Sequence, residues 1–257
     1  ETALNDGCRL LAGFDFPFGY PSGFARAVIR GDDPLALWDW LEARIEDAPD
    51  GNNRFDLAAE LNGRFAAPGP FWGNALGREI DGLSRTKAPG RMEAAGLTEW
   101  RAVEGRAPGA FSCWQRAGAG AVGSQVLMGL PVLARLRRRF GGRLAIWPFD
   151  PWEAAEIVLA EVFPSLLAAE VTAAQAAEPD AIRDALQVRL LARTLWQAQV
   201  DGSLGLILDA VPEGPARDEE GWIVGVGAET ALRAAARPEL TPPKLKNDCF
   251  ALPQGVE

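Results

Sequence analysis

The chain has 257 residues, 26 basic against 35 acidic, a net charge of −9 and no histidine. The missing imidazole excludes a Ser-His-Asp triad, a Cys-His pair and any zinc, iron or haem site that relies on histidine. The acidic balance argues against a broad nonspecific nucleic-acid surface, and no apolar run approaches the roughly 20 residues of a membrane span.

In chain order, residues 9–16 read as a strand. Leu10-Leu11-Ala12-Gly13-Phe14-Asp15-Phe16 is apolar on both alternating faces and stops at Pro17, the pattern of a strand buried within a helix-flanked sheet. Phe18 to Gly23 is a turn-rich loop. A helix follows from Pro34, with Asp33 as its N-cap and Trp38, Leu41 and Ile45 on one face. A shorter helix covers Arg54 to Phe65 behind Asn52 or Asn53. Residues 66–120 are irregular, punctuated by Pro68, Pro70, Gly73, Gly77, Gly82, Pro89, Gly90, Pro108 and Gly109, and read as a functional or covering insertion.

Residues 121–140 are helical in pattern, with Val126, Leu130, Leu133, Leu136 and Phe140 on one stripe and Pro131 expected to kink or split them. Leu144 to Phe149 and Ile157 to Phe163 are strands. A long helix is expected from Ala181 to Gln199, capped by Asp180, with Gly202 beyond its end. The whole suggests a single α/β domain over residues 1–236, with the insertion at about 66–120 and a poorly structured tail at 237–257.

The chemistry must come from carboxylates, guanidinium groups, hydroxyls, backbone amides or a bound group. Ile157-Val158-Leu159-Ala160-Glu161-Val162-Phe163-Pro164 repeats the pattern of the first strand, so Asp15 and Glu161 each sit near the end of an apolar strand. An ionised carboxylate there is costly without a cation or strong donors. Asp184 heads the stripe Asp184, Val188, Leu191, Leu195 and is expected to face the same site; its alternative role is charge–dipole stabilisation of the helix start. Converging, the three would form an oxygen-only site suited to Mg²⁺ or Mn²⁺. Unrelated, they are buried or capping acids of a kind common at strand ends.

Gly118-Ala119-Gly120-Ala121-Val122-Gly123, followed by Ser124, matches GxGxxG at the opening of a helix. No convincing strand feeds it, and Arg137, Arg138 and Arg139 stand where a ribose-binding acid belongs. The turn is therefore expected to cradle a phosphate or other anion, or nothing, rather than NAD. Arg135, Arg137, Arg138, Arg139 and Arg143 form the dense basic patch, serving either phosphate or the helix dipole. Among nine tryptophans, Trp72 and Trp114 are candidates for stacking on a base. Cys8, Cys113 and Cys249 lie far apart without a CxxC pair, which excludes a four-thiolate zinc site and suggests three reduced thiols in a cytoplasmic protein. Residues 1–7 are polar and carry no signal-peptide pattern.

At these residues a resemblance enters. Gly13-Phe14-Asp15-Phe16-Pro17-Phe18-Gly19, Glu161-Val162-Phe163-Pro164 and Asp184-Ala185 resemble the signatures of a bacterial and archaeal family of unknown function, held to be nuclease-like with a ribonuclease-H-type fold. Trp114-Gln115 through Gly118–Gln125 to Gly129-Leu130-Pro131 resembles a proteobacterial branch of it. The resemblance implies a ribonuclease-H-like mixed sheet flanked by helices and Mg²⁺- or Mn²⁺-dependent hydrolysis of a phosphodiester, with Asp15, Glu161 and Asp184 as metal ligands. One departure stands out: the family's earlier strand with a further Asp has no counterpart here, where only Glu1 and Asp6 precede the first strand. Two other functions fit the sequence: a noncatalytic nucleotide- or cofactor-binding accessory of molybdopterin-type metabolism, using Gly118, Gly120, Gly123 and Ser124, and a degenerate interaction module. The expected partner is a nucleic acid or nucleotide and not a membrane; the oligomeric state is left open.

Overall fold

The computed structural model describes residues 8–236; the tail expected at 237–257 lies outside them. Strand β1 (Leu10–Phe14) opens the described chain, followed by α1 (Phe24–Ile29) and α2 (Pro34–Glu42). A two-rung hairpin of β2 (Asp47–Ala48) and β3 (Gly51–Asn52) leads to α3 (Arg54–Asn62). The irregular stretch holds only α4 (Arg91–Ala95) and a 3₁₀ turn at Glu104–Arg106. Then come α5 (Gly123–Phe140), β4 (Leu144–Ile146), β5 (Ile157–Glu161), α6 (Ala168–Ala177), α7 (Arg183–Val200), α8 (Leu204–Leu208), a π-helical turn at Ala216–Glu220 and α9 (Glu229–Ala235).

The chain divides into two compact units. The first takes in residues up to Asp15, Gly142–Val211 and the chain from Ile223 onward. Its centre is a small sheet in the order β1-β5-β4, parallel throughout its described strands and flanked by helices, where a mixed sheet was expected. Register pairs Leu10 with Ile157 and Phe14 with Glu161, while Leu144 to Ile146 pair with Ile157 to Leu159. β5 is central and buried along its whole length, as its unbroken Ile-Val-Leu-Ala run requires. β1 departs from the expectation of a second interior strand: among the described residues it lies at the sheet edge, half exposed, with Leu10 at 43%. An apolar run reports burial on some side, not the presence of neighbours on both edges.

The turn after β4 is closed by Asp150, whose side chain accepts from the Ile146 amide at 3.0 Å. Arg9 fastens the start of β1 by donating to the Ala155 and Trp152 carbonyls. Gly13 is fixed by close approach, because a Cβ there would stand 2.7 Å from Val162 Cγ1. Helix α6 escapes the periodicity argument because its Ala-rich sequence buries only Val171 and carries no apolar stripe. Helix α7 begins at Arg183 with Ile182 in the cap position and no side-chain cap, so Asp180 is not its N-cap.

The second unit comprises Phe16–Gly141 and Pro212–Trp222. Helix α2 starts as its sequence predicts: Asp33 Oδ1 accepts from the Leu35 amide at 2.8 Å and Pro34 takes the first turn. It packs on α5. That helix continues through Pro131 as one element rather than two, with Val126, Leu127, Leu130, Pro131, Leu133 and Ala134 buried around the missing hydrogen bond. An aromatic cluster of Tyr20, Phe24, Phe71 and Trp114 fills the interior. Two carboxylates from the π-helical turn hold the loop after Pro17. Glu219 accepts from Ser22 Oγ and the Gly23 amide; Glu220 accepts from the Ser22 and Ala102 amides. Gly19 lies so close to this turn that a Cβ would stand 2.4 Å from the Glu220 carbonyl oxygen.

Cys113 is a free, buried thiol, whereas Cys8 is disulfide-bonded, which corrects the expectation of three reduced thiols. Spacing along the chain did not bear on which sulfurs meet in space. Among the described residues no helix is long and apolar enough to cross a membrane.

Candidate active site

The first unit brings the three sequence-predicted carboxylates to one end of its sheet. Because β1 and β5 run parallel, their C-terminal ends lie side by side, the edge at which open α/β sheets place their ligands. Glu161 is the last residue of β5 and only 2% exposed. Its backbone is held on both sides: its carbonyl accepts from the Val224 amide, and the next amide, Val162, donates to the Phe14 carbonyl, each at 3.0 Å.

Asp15 follows the last residue of β1. Register sets Phe14, not Asp15, opposite Glu161, so an undistorted pleat would send Asp15 to the other face. The chain bends at Asp15–Phe16 instead. Although solvent reaches Asp15, partial burial and then the charges of Glu161 and Asp184 hold its carboxyl above the usual aspartate range. Asp184 lies in the first turn of α7 and is exposed; its stripe does not face the core as expected, since Val188 is 67% exposed. The face α7 buries runs instead through Leu186, Leu191, Thr194, Leu195 and Ala198.

The donor set is all carboxylate oxygen, which fits a hard cation such as Mg²⁺ or Mn²⁺ in chemistry, and the like-charge repulsion at Asp15 is what a cation would relieve. As the side chains lie, however, no three of the acidic or thiol groups among the described residues form a set able to hold a metal ion. Asp15 and Glu161, two and three residues before their prolines, stand one residue out of register across the strand pair.

The glycine turn of the second unit is filled by the chain itself. Gly118 and Gly120 have positive φ, 103° and 73°. The Gln115 side chain donates to the Ala117 carbonyl inside the turn, and the Phe111 ring lies 2.3 Å from where a Gly120 Cβ would stand. At Gly123 a Cβ would meet the Arg116 guanidinium at 2.1 Å and the Cys113 carbonyl at 2.4 Å. Ser124 Oγ donates to the Arg116 carbonyl. Each glycine thus has a packing reason.

The arginine patch is largely neutralised. Arg138 meets Asp39 and Glu42, Arg135 lies 3.7 Å from Glu42, and, in the first unit, Arg143 pairs with Glu156. Trp114 is fully buried and Trp72 only 6% exposed, so neither offers a face to a base, contrary to expectation. Both fill space beneath the irregular stretch, a role that composition alone does not separate from a stacking platform.

Sequence reasoning did not single out Glu219, Glu220 or the fully buried Arg91, Arg101 and Arg116. Arg101 is satisfied by Glu104 at 3.0 Å and by the Glu220 carbonyl at 3.0 Å. Charged residues between glycines and prolines read as solvated loop, and nothing local reveals that the loop is folded inward. No family model, characterised protein or solved structure matches the chain.

Proposed function

We propose that the carboxylate end of the first unit's sheet is the reaction centre of a nuclease-like phosphodiester hydrolase dependent on Mg²⁺ or Mn²⁺. The observation that carries this reading is the raised carboxyl of Asp15 under the charges of Glu161 and Asp184, beside the joined ends of β1 and β5. Asp15, Glu161 and Asp184 are the residues that would hold the cation. When bound, it would supply a water nucleophile active at neutral pH and neutralise charge on the phosphoryl group. The protein's own part is to fix Glu161 between two backbone hydrogen bonds and to present Asp15 on the bend that follows β1. The resemblance to a ribonuclease-H-type family points the same way.

Calorimetry with Mn²⁺ tests the reading. The parent should bind with saturable heat, and Asp184→Asn should bind about tenfold more weakly while keeping its fold. Equal Mn²⁺ affinity in both proteins would reject the ligand role and leave Asp184 as a helix-terminus charge. One observation favours a second reading, a noncatalytic nucleotide-binding or interaction module: the three acids do not form a closed ligand set. That reading predicts no Mn²⁺ heat and no cleavage of DNA, RNA or their hybrid with either cation.

A further inference from the structure

The second unit holds a buried cation, Arg91, with two unpartnered nitrogens beside an open cleft. The cleft has a volume of about 570 Å³ and is lined by Lys87, Arg91, Met92, Leu97, Thr98 and Glu99, among others. That size is typical of a small-molecule site. Its walls are fixed. The Thr98 carbonyl accepts from Trp114 Nε1 at 3.0 Å, the Glu99 carbonyl from Ser112 Oγ at 3.2 Å, and the Leu97 amide donates to the Met92 carbonyl at 3.0 Å.

Arg91 is 1% exposed, yet its Nε and Nη1 have no hydrogen-bond partner, and Nη2 has only Ser84 Oγ, at 3.2 Å. No carboxylate pairs with it among the described residues. Arg101, equally buried, has Glu104 for that purpose. A desolvated guanidinium with idle donors is costly, and burial holds its pKa below the usual arginine value. What it has instead is the Trp72 ring, whose centroid lies 5.4 Å from its Cζ. Lys87 sits over the same ring, with Nζ 5.5 Å from the centroid, and is bound to Glu99 at 2.5 Å. Glu99 therefore answers Lys87, and no carboxylate in the cleft wall answers Arg91.

We propose that this cleft binds the oxyanion group, phosphoryl or carboxylate, of a small molecule. The anion takes the idle donors of Arg91 and displaces Glu99 from Lys87, so the Lys87–Glu99 pair acts as the latch over the site. The cleft is much larger than a bare oxyanion, which leaves room for the rest of the molecule beside Met92 and Leu97.

The test is a nitrogen-15 NMR titration that follows the arginine Nε–H resonances, assigned to Arg91 with Arg91→Lys, at constant ionic strength. Inorganic phosphate and acetate are added in separate arms. At least one should move the Arg91 signal saturably; a response to phosphate alone assigns a phosphoryl group, and a response to acetate alone a carboxylate. Lys87→Met should weaken binding about tenfold, the scale of one charge-assisted contact, and Glu99→Gln should tighten it by removing the competing carboxylate. No saturable shift with either anion overturns the proposal. So does binding that both Lys87→Met and Glu99→Gln leave unchanged.

Discussion

Single side chains carry opposite burdens in this molecule. Asp15 is held above the ordinary aspartate range by partial burial and by Glu161 and Asp184, so the fold disfavours its charged form. An acid raised on folding contributes stability that is present below its unfolded pKa, near 4, and lost as pH rises through the folded value. Asp15→Asn should therefore melt about 1–3 °C higher than the parent at pH 7, with the gap closing as pH falls toward 4. Thermal scans across that window check it; a variant that melts lower at neutral pH would show Asp15 to be a structural anchor. Glu220 lies at the other extreme. Both its oxygens accept backbone amides, from Ser22 and Ala102, and its side chain is buried. Glu220→Ala should lose about 2–4 kcal/mol in urea unfolding, because it leaves two donors unpaired in the interior.

Among the elements, those with a cap and a stripe were legible. Asp33 and Pro34 announce α2, and the stripe of Val126, Leu130 and Leu133 announces α5. Asp33→Ala should cost about 1 kcal/mol, read as a shift in the urea midpoint. The apolar run ending in Glu161 announces β5, and its twin ending in Asp15 announces β1 with the right partner edge for the candidate site. The positions of neighbours were not legible: among the described residues β1 is an edge strand, and the offset of its acid against Glu161 appears only once register is known. The glycine turn was legible as a turn and misleading as a cradle. Its motif records how closely Arg116, Gln115 and Phe111 approach, information that lies in contacts rather than in spacing. Gly123→Ala should destabilise by about 2 kcal/mol or more, because carbonyls on two sides leave no room for a methyl group. Unchanged stability would mean that the start of α5 yields easily. The buried Arg91 left no mark in the sequence, since an arginine among prolines and glycines looks like any solvated loop residue.

For the whole molecule, the charge of −9 governs how a polyanion would be met. With the arginine patch mostly bound to its own acids, any hydrolysis of nucleic acid should be fastest at low ionic strength and should fall as salt is added. Rates with Mn²⁺ at rising potassium chloride measure this; a salt-independent rate would point to a small, uncharged or deeply enclosed substrate. The chain's path has a consequence in time. β1 pairs with β5 across a long stretch of the second unit, and that unit is completed only by residues 212–222. During synthesis at about 5–20 residues per second, β1 waits on the order of ten seconds for its partner. The amides of Ser22 and Gly23 wait longer still for Glu219 and Glu220. A nascent chain stalled at Val211 has all three sheet strands in hand but lacks the two acids that lock the loop after Pro17. Birth order thus exposes an apolar strand early and supplies its neighbour's fastening last, which makes the growing chain, rather than the finished protein, the form most in need of a chaperone.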